Sequence, residues 1–317
     1  MGGDYIGQKE GFCTFFWILI SSFIPLLCAA DLSADDFQEI QGKTRPKIEV
    51  GGALGGGFTP HYIGSNHYYV AALPFPLLAY RTDYFELSRE SKVYLYESES
   101  MIVDFAFNFR FPIVSDELNE DGSNDMGSRE KSIYSLTNQT RKGMDDLPPA
   151  VFLGFQSYWM LSNEFLARIS FVSGFTTEEG SRSVGSILTP SFEYKPFGDA
   201  YERFSKKSIS LFFNAYFGDN RYNDFYYSVG KNDVLSDREE YQASGGLISY
   251  NFGMDWEWWI TEDLKFIGVF MGHSLANSAV KESPLVINEK MYTLGFIISY
   301  NFWKSKEKVG IKALRQW

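Results

Sequence analysis

The stretch Val103–Phe111 reads VDFAFNFRF. Val103, Phe105, Phe107, Phe109 and Phe111 take every second position, and Asp104, Ala106, Asn108 and Arg110 fill the gaps. A period of two marks a strand, because successive side chains leave it on opposite faces. One face here is almost solid phenylalanine; the other carries two charges and an amide. In a soluble sandwich the Phe face would pack on a second sheet. In a membrane barrel it would meet lipid, while Asp104, Asn108 and Arg110 would point into a wet lumen. Nine residues rise roughly 30 Å, or about 21 Å along the membrane normal at a tilt of about 45°, which suits an apolar band of about 25 Å.

The composition favours the barrel. Aromatic residues make up 18% of the 317, yet no segment after residue 30 is long and apolar enough for a spanning helix. Aromatic girdles diluted by lumen-facing polar residues give that balance. A secreted, soluble all-β protein is the alternative on composition alone. The formal net charge of −11, with no basic stripe, argues against nucleic acid as a partner.

The N-terminus reads as an export signal. Phe12–Leu27 is apolar and ends in Leu27-Cys28-Ala29-Ala30, with the length and small-residue exit of a signal peptide cleaved after Ala29 or Ala30. Cys28 raises lipidation as an alternative, but Leu27 is bulky where a lipobox wants a small residue. Residues 1–30 are therefore expected to be removed, leaving a mature charge of −10. Cys13 and Cys28 would leave with them, so no disulfide framework is expected. Residues 31–46 form a short polar lead-in, 47–302 the barrel, and 303–317 a basic tail.

Twelve strands are expected: Lys47–Phe58, Tyr68–Tyr80, Tyr84–Leu87, Lys92–Glu97, Met101–Ile113, Val151–Met160, Phe165–Phe175, Val184–Phe197, Ser208–Phe217, Tyr241–Asp255, Leu264–His273 and Met291–Phe302. An even number is what single-chain bacterial barrels have. Alternate connections are short, such as Arg81–Asp83, Ser98–Ser100 and Leu161–Glu164. The others are mostly longer, such as Val114–Ala150, Gly218–Glu240 and Ser274–Lys290. Short periplasmic turns and longer outer loops are the barrel asymmetry; Ser88–Ser91 breaks it. Arg168, Glu193, Lys195 and Asp255 join Asp104, Asn108 and Arg110 as lumen-facing candidates, since an Arg facing lipid near the midplane costs about 2–4 kcal/mol. Leu264–His273 shows no alternation that assigns its faces.

Catalytic and metal motifs are weak. His61, His67 and His273 are the three histidines, and the topology places the first outer loop near the top of the eleventh strand. A metal site, or a His–Ser pair using Ser274 or Ser283, is conceivable, but no Ser-containing catalytic motif accompanies these histidines. Gly51, Gly52, Gly55, Gly56 and Gly57 precede a strand rather than the helix a phosphate loop needs, and fit bends in a tight barrel. The acidic stretch Asp116–Asp125 lacks EF-hand spacing. No catalytic residue, metal or cofactor is expected.

Specific residues add a resemblance. Tyr62-Ile63-Gly64-Ser65 followed by Pro74 and Pro76, then Tyr80-Arg81, Tyr226-Tyr227-Ser228-Val229, Tyr241-Gln242-Ala243-Ser244-Gly245, Glu282-Ser283-Pro284-Leu285-Val286 and a final Tyr300-Asn301-Phe302 together resemble the MipA/OmpV family, in order, from about Val50 to Phe302. The resemblance implies a barrel in a Gram-negative outer membrane, set in its lipid and without enzymatic activity. It also implies a scaffold bringing a lytic transglycosylase together with a penicillin-binding protein in murein synthesis. A narrow channel or small-solute-binding barrel is the alternative. Two features depart from the family: Glu282 stands where it has Asp, and the chain runs on past Phe302. That extension carries Lys304, Lys306, Lys308, Lys312 and Arg315, expected to face the periplasm and dock on peptidoglycan or a partner enzyme. Trp317 as part of an assembly signal is the competing reading.

Overall fold

A computed structural model describes residues 44–82, 84–87, 92–98, 100–115, 137–162, 164–177, 180–196 and 207–310. The signal segment, most of the lead-in, Ser88–Ser91, Asp116–Asp125, Lys312 and Arg315 lie outside the described residues.

The chain is a closed antiparallel barrel of twelve strands. In order they are β1 (Ile48–Pro60), β2 (Tyr68–Arg81), β3 (Phe85–Leu87), β4 (Lys92–Glu97), β5 (Met101–Arg110), β6 (Ala150–Met160), β7 (Phe165–Thr176), β8 (Ser183–Tyr194), β9 (Lys207–Gly218), β10 (Gly246–Trp259), β11 (Leu264–Ser274) and β12 (Lys290–Lys304). Each pairs with its neighbours in sequence, and β12 closes on β1 from Leu294↔Phe58 to Lys304↔Glu49. No described helix is long and apolar enough to cross a membrane; this chain crosses with strands.

The alternation of the opening stretch is borne out in β5. Phe107 and Phe109 face outward and are exposed, while Asp104 and Ala106 on the opposite face are buried. The outward row continues around the wall through Phe155, Ile169, Phe171, Phe192, Phe213, Phe252, Leu294 and Ile298, all exposed. So many exposed large apolar side chains would be an aggregation hazard in water, and in a bilayer they are the lipid contact.

Several boundaries differ from expectation. β5 ends at Arg110, because Ile113 leaves the wall to bridge Leu147 in the outer loop. β10 begins at Gly246 rather than Tyr241, because Tyr241 instead pairs with Val229, and it continues to Trp259. The loop expected over Gly218–Glu240 contains a helix, α1 (Asn220–Tyr227).

β11 lacks alternation for a physical reason. The inward face of β12 is glycine at Gly295, where an added Cβ would sit 3.0 Å from Val269. Similarly, a Cβ on Gly55 would meet Phe75 at 2.8 Å and Ile297 at 3.5 Å. These glycines leave room for inward apolar side chains of β2, β11 and β12, so one side of the lumen is apolar.

Past Phe302, Trp303 and Lys304 continue β12, and Lys308–Gly310 form a small antiparallel ladder with Thr44–Pro46. Lys47 pairs with Glu307 at 2.8 Å, and Lys304 with Asp263 at 2.8 Å.

A closed barrel satisfies its strand amides internally and resists detergent. Unheated protein in a detergent gel is therefore expected to migrate differently from boiled protein. Identical migration, together with release from membranes by carbonate, would contradict insertion.

Candidate functional site

The long-loop end of the barrel is filled by its own loops, and α1 is the centre of the filling. Asp219 caps it: Oδ1 accepts from Tyr222 N at 2.7 Å and Oδ2 from Ser186 N at 2.9 Å, which ties the helix start to β8. An Asp cap satisfies an otherwise orphaned amide of the first turn. Tyr222, Tyr226 and Tyr227 are all buried, and Tyr62 stands edge-on to Tyr227 at 5.8 Å. The sequence signal for α1 is Asp219 followed by tyrosines three and seven residues on, the spacing of one helix face.

Scattered segments meet here. Tyr62 donates its hydroxyl to Leu285 O at 2.8 Å, and Ser283 donates to Tyr227 O at 2.6 Å. Val229 and Tyr241 exchange backbone bonds, and Tyr241 donates its hydroxyl to Ala279 O at 3.2 Å. Gly64 adopts a φ of 108°, packs against Val286 and accepts from Ile287 N and Asn288 N. The positive φ favours glycine. Arg238 stitches a further loop to the cap by donating to Thr140 O at 3.0 Å and Lys142 O at 2.8 Å. Burial pushes the Tyr62 hydroxyl up to about 12 and lowers the Arg141 guanidinium from its ordinary value, as expected of loop groups held out of water.

Below the cap lies a polar hydrogen-bonded network. His273 is hydrogen-bonded on both nitrogens, Nδ1 to Asn251 Oδ1 at 2.7 Å and Nε2 to Thr293 Oγ1 at 2.9 Å. Thr293 continues to Thr59 at 3.2 Å, and Asn251 to Ser249 at 3.1 Å. With Asn251 Oδ1 as acceptor, the imidazole proton is assigned to Nδ1 and Nε2 accepts from Thr293. His273 is thus paired with neither Ser274 nor Ser283. Among the described residues no three His, Cys, Asp or Glu side chains gather as a metal site.

The lumen candidates are spread along the barrel. Asp104 is fully buried on β5, opposite Gln156. Asn108 is exposed and on the inward face of β5. Arg168 lies 6.0 Å from the Tyr158 ring and directly opposite Ser191. Glu193 faces inward opposite Leu166, Lys195 is buried one residue past β8, and Asp255 pairs with Ser210 and Val269 on adjacent strands. Arg110 is half-buried at the top of β5 beside the α1 tyrosines. These seven do not form one cluster.

An ion group that the sequence reading missed sits near the short-turn end. Arg81 contacts Glu49 at 2.7 Å and Glu86 at 3.0 Å. Arg81 and Glu86 face each other across the β2–β3 turn, and the β1–β2 register brings in the distant Glu49. Lys265 and Glu257, also lumen-facing, form a second pair. Of the basic extension, Lys306 and Lys308 are exposed.

With this geometry in view, the family can be assigned. The model of the family described as MltA-interacting protein MipA matches residues 52–302. The chain belongs to this family. The segments that carried the resemblance are largely those that build the cap. No match was found among curated proteins. Solved structures with a similar fold are outer-membrane barrels. The CymD monoaromatic hydrocarbon channel is 9% identical, over 82% of this chain and 89% of that one, with a TM-score of 0.35. A Pseudomonas aeruginosa FadL homologue is 6% identical over 82% and 91%, with a TM-score of 0.30. OprG from Pseudomonas aeruginosa is 9% identical over 82% and 99%, with a TM-score of 0.23. The chain is an outer-membrane barrel protein.

Proposed function

We propose that this MipA-family barrel is a non-enzymatic interaction protein, holding a lytic transglycosylase near a penicillin-binding protein at the periplasmic face. The family match over residues 52–302 carries the reading, since the family is described by its interaction with MltA. The filled long-loop end supports it, because a capped lumen is poorly suited to free passage. Exposed Lys306 and Lys308 sit at the short-turn end, where a periplasmic partner or peptidoglycan would dock. A photo-crosslinker at position 306 in intact cells is expected to capture murein enzymes. Their absence, together with conductance in planar bilayers, would favour a narrow channel or small-solute-binding barrel instead.

The basic end gives a separate expectation. Lys306→Glu combined with Lys308→Glu should reduce co-sedimentation with murein sacculi or capture of the partner, and binding by the native chain should weaken as salt rises, because exposed charges are screened over about 10 Å at 0.1 M. Unchanged binding by the double variant would reject docking through these lysines. Deleting everything from Lys304 is a poorer test, since it also removes the end of β12 and the ladder to Thr44–Pro46.

A further inference from the structure

β12 and β1 close the barrel, and no connection joins them; every other neighbouring pair of wall strands is consecutive in the chain. This closing seam is also lightly packed. Gly51, Gly52, Gly55, Gly56 and Gly57 of β1 stand opposite β12 in the register. At Gly51 and Gly57 an added Cβ would run into the backbone carbonyls of Tyr300 and Leu294, so the strands meet there backbone to backbone. Cross-strand side-chain pairs, which stabilise a sheet beyond its ladder, are lost wherever one partner is glycine. Toward the short-turn end the register shifts between Asn301 and Trp303, a bulge that bends the strand and disrupts its pairing.

The chain continues past this weak point and pairs again. Ser305 N donates to Ile48 O at 2.9 Å, and Ile48 N donates to Ser305 Oγ at 3.0 Å. Ser305 Oγ in turn donates to Glu307 O at 2.7 Å, and Lys47 N donates to the same carbonyl at 2.9 Å. The pairing then runs through Pro46↔Lys308, Arg45↔Val309 and Thr44↔Gly310. The residues that follow β12 are thus zipped to those that precede β1, across the foot of the seam.

Both arms of this segment are anchored to the wall. On the β1 side, Arg81 of β2 donates Nη1 to Pro46 O at 2.9 Å and its backbone N to Lys47 O at 2.9 Å. The same guanidinium is held by Glu49 and Glu86. On the β12 side, Lys304 Nζ donates to Glu262 O at 2.7 Å and pairs with Asp263, both in the turn between β10 and β11. The segment therefore ties β2 and β1 to β12 and β11. Its own ladder is short, and its Lys47–Glu307 pair is exposed at Glu307. A short element held at the solvent edge opens more readily than the wall behind it.

We propose that residues 305–310 and residues 44–48 form a releasable clasp on the closing seam. Engaged, it holds the foot of β12 against β1; released, it lets that foot open while the other ladders stay paired. Exposed Lys306 and Lys308 lie within it, so a partner at the basic end would sit on the clasp itself. The device belongs to the fold and does not depend on the murein reading.

Hydrogen exchange on the full-length barrel in nanodiscs tests it, with heat-modifiability as the check on folding. Lys47→Pro combined with Ser305→Ala removes the bond from Lys47 N and both bonds of the Ser305 hydroxyl. Amides of residues 48–52 and 300–304 should then exchange about tenfold faster or more, the scale of a few lost hydrogen bonds. Amides of residues 256–259 and 265–268, a ladder at the same end of the wall, should not change. Arg45→Cys with Val309→Cys, directly opposed, adds a covalent lock once Cys13 and Cys28 are replaced by serine. In the Lys47→Pro, Ser305→Ala background, oxidising the lock should restore slow exchange at the seam, and reducing it should abolish that protection. Ser305→Ala alone should shift the same amides in the same direction by less, and it stands in if the double variant does not assemble. Unchanged seam exchange in the variants that fold, or equal loosening of both ladders, would overturn the clasp. A lock that slows nothing when oxidised would overturn it as well.

Discussion

Phe155→Arg is expected to cost the folded barrel about 2–4 kcal/mol, while Gln156→Arg, one residue along, should cost less than about 1 kcal/mol. Phe155 sits at the centre of β6, is 56% exposed on the outward face and packs edge-on against Phe105 at 6.0 Å. It is flanked by complete ladders, opposite Phe105 on β5 and Phe171 on β7. A guanidinium placed there meets hydrocarbon and has no route to water through the wall. Gln156 points the other way, half-buried on the inward face opposite Asp104, where a cation gains a nearby carboxylate. Folding titrations into lipid vesicles measure both variants. Equal penalties, or the reverse order, would mean that the inward and outward faces are exchanged.

Asp219→Ala is expected to release the cap while leaving the barrel standing. The substitution removes the bond that caps α1 and the bond to Ser186 on β8. Loss of an N-cap costs about 1 kcal/mol, and the second bond brings the total to about 2 kcal/mol. The wall has its own ladders, so this energy should come out of local opening rather than global unfolding. Amides of α1 should exchange about tenfold or more faster, and heat-modifiability should persist. Asp219→Asn keeps a capping oxygen and should lie between the two. Unchanged protection of α1 would show that aromatic packing of Tyr222, Tyr226 and Tyr227 holds the helix without its cap.

What the sequence determined by itself is the wall. Alternation is a property of adjacent residues: Val103 to Phe111 show it, and so do Phe165–Phe171 and Tyr292–Phe302, because every outward position must satisfy lipid and every inward one water or a neighbour. Counting those runs yields twelve strands, and the lengths between them distinguish turns from loops. The pattern fails where both faces want the same chemistry. Between Lys265 and His273 the inward face of β11 is apolar as well, through Ile267, Val269 and Met271, since Gly295 admits Val269 to the lumen, and periodicity then has little contrast to report. It also fails where a ladder forms outside the wall: Tyr241 pairs with Val229 in the cap, and an alternating segment in a loop looks like the start of β10.

Only the tertiary structure decided what fills and interrupts the barrel. The bonds from Tyr62 to Leu285 and from Ser283 to Tyr227 span 223 and 56 residues, and no local period encodes such distances. α1 is eight residues long, too short to hold by propensity, and exists because its tyrosines are buried by loops from elsewhere. The Arg81 cluster depends on which strands register against which. Pro74 and Pro76 are visible in the sequence, but which side of β2 their missing amides face depends on the bond from Arg81 N to Lys47 O, a contact between strands.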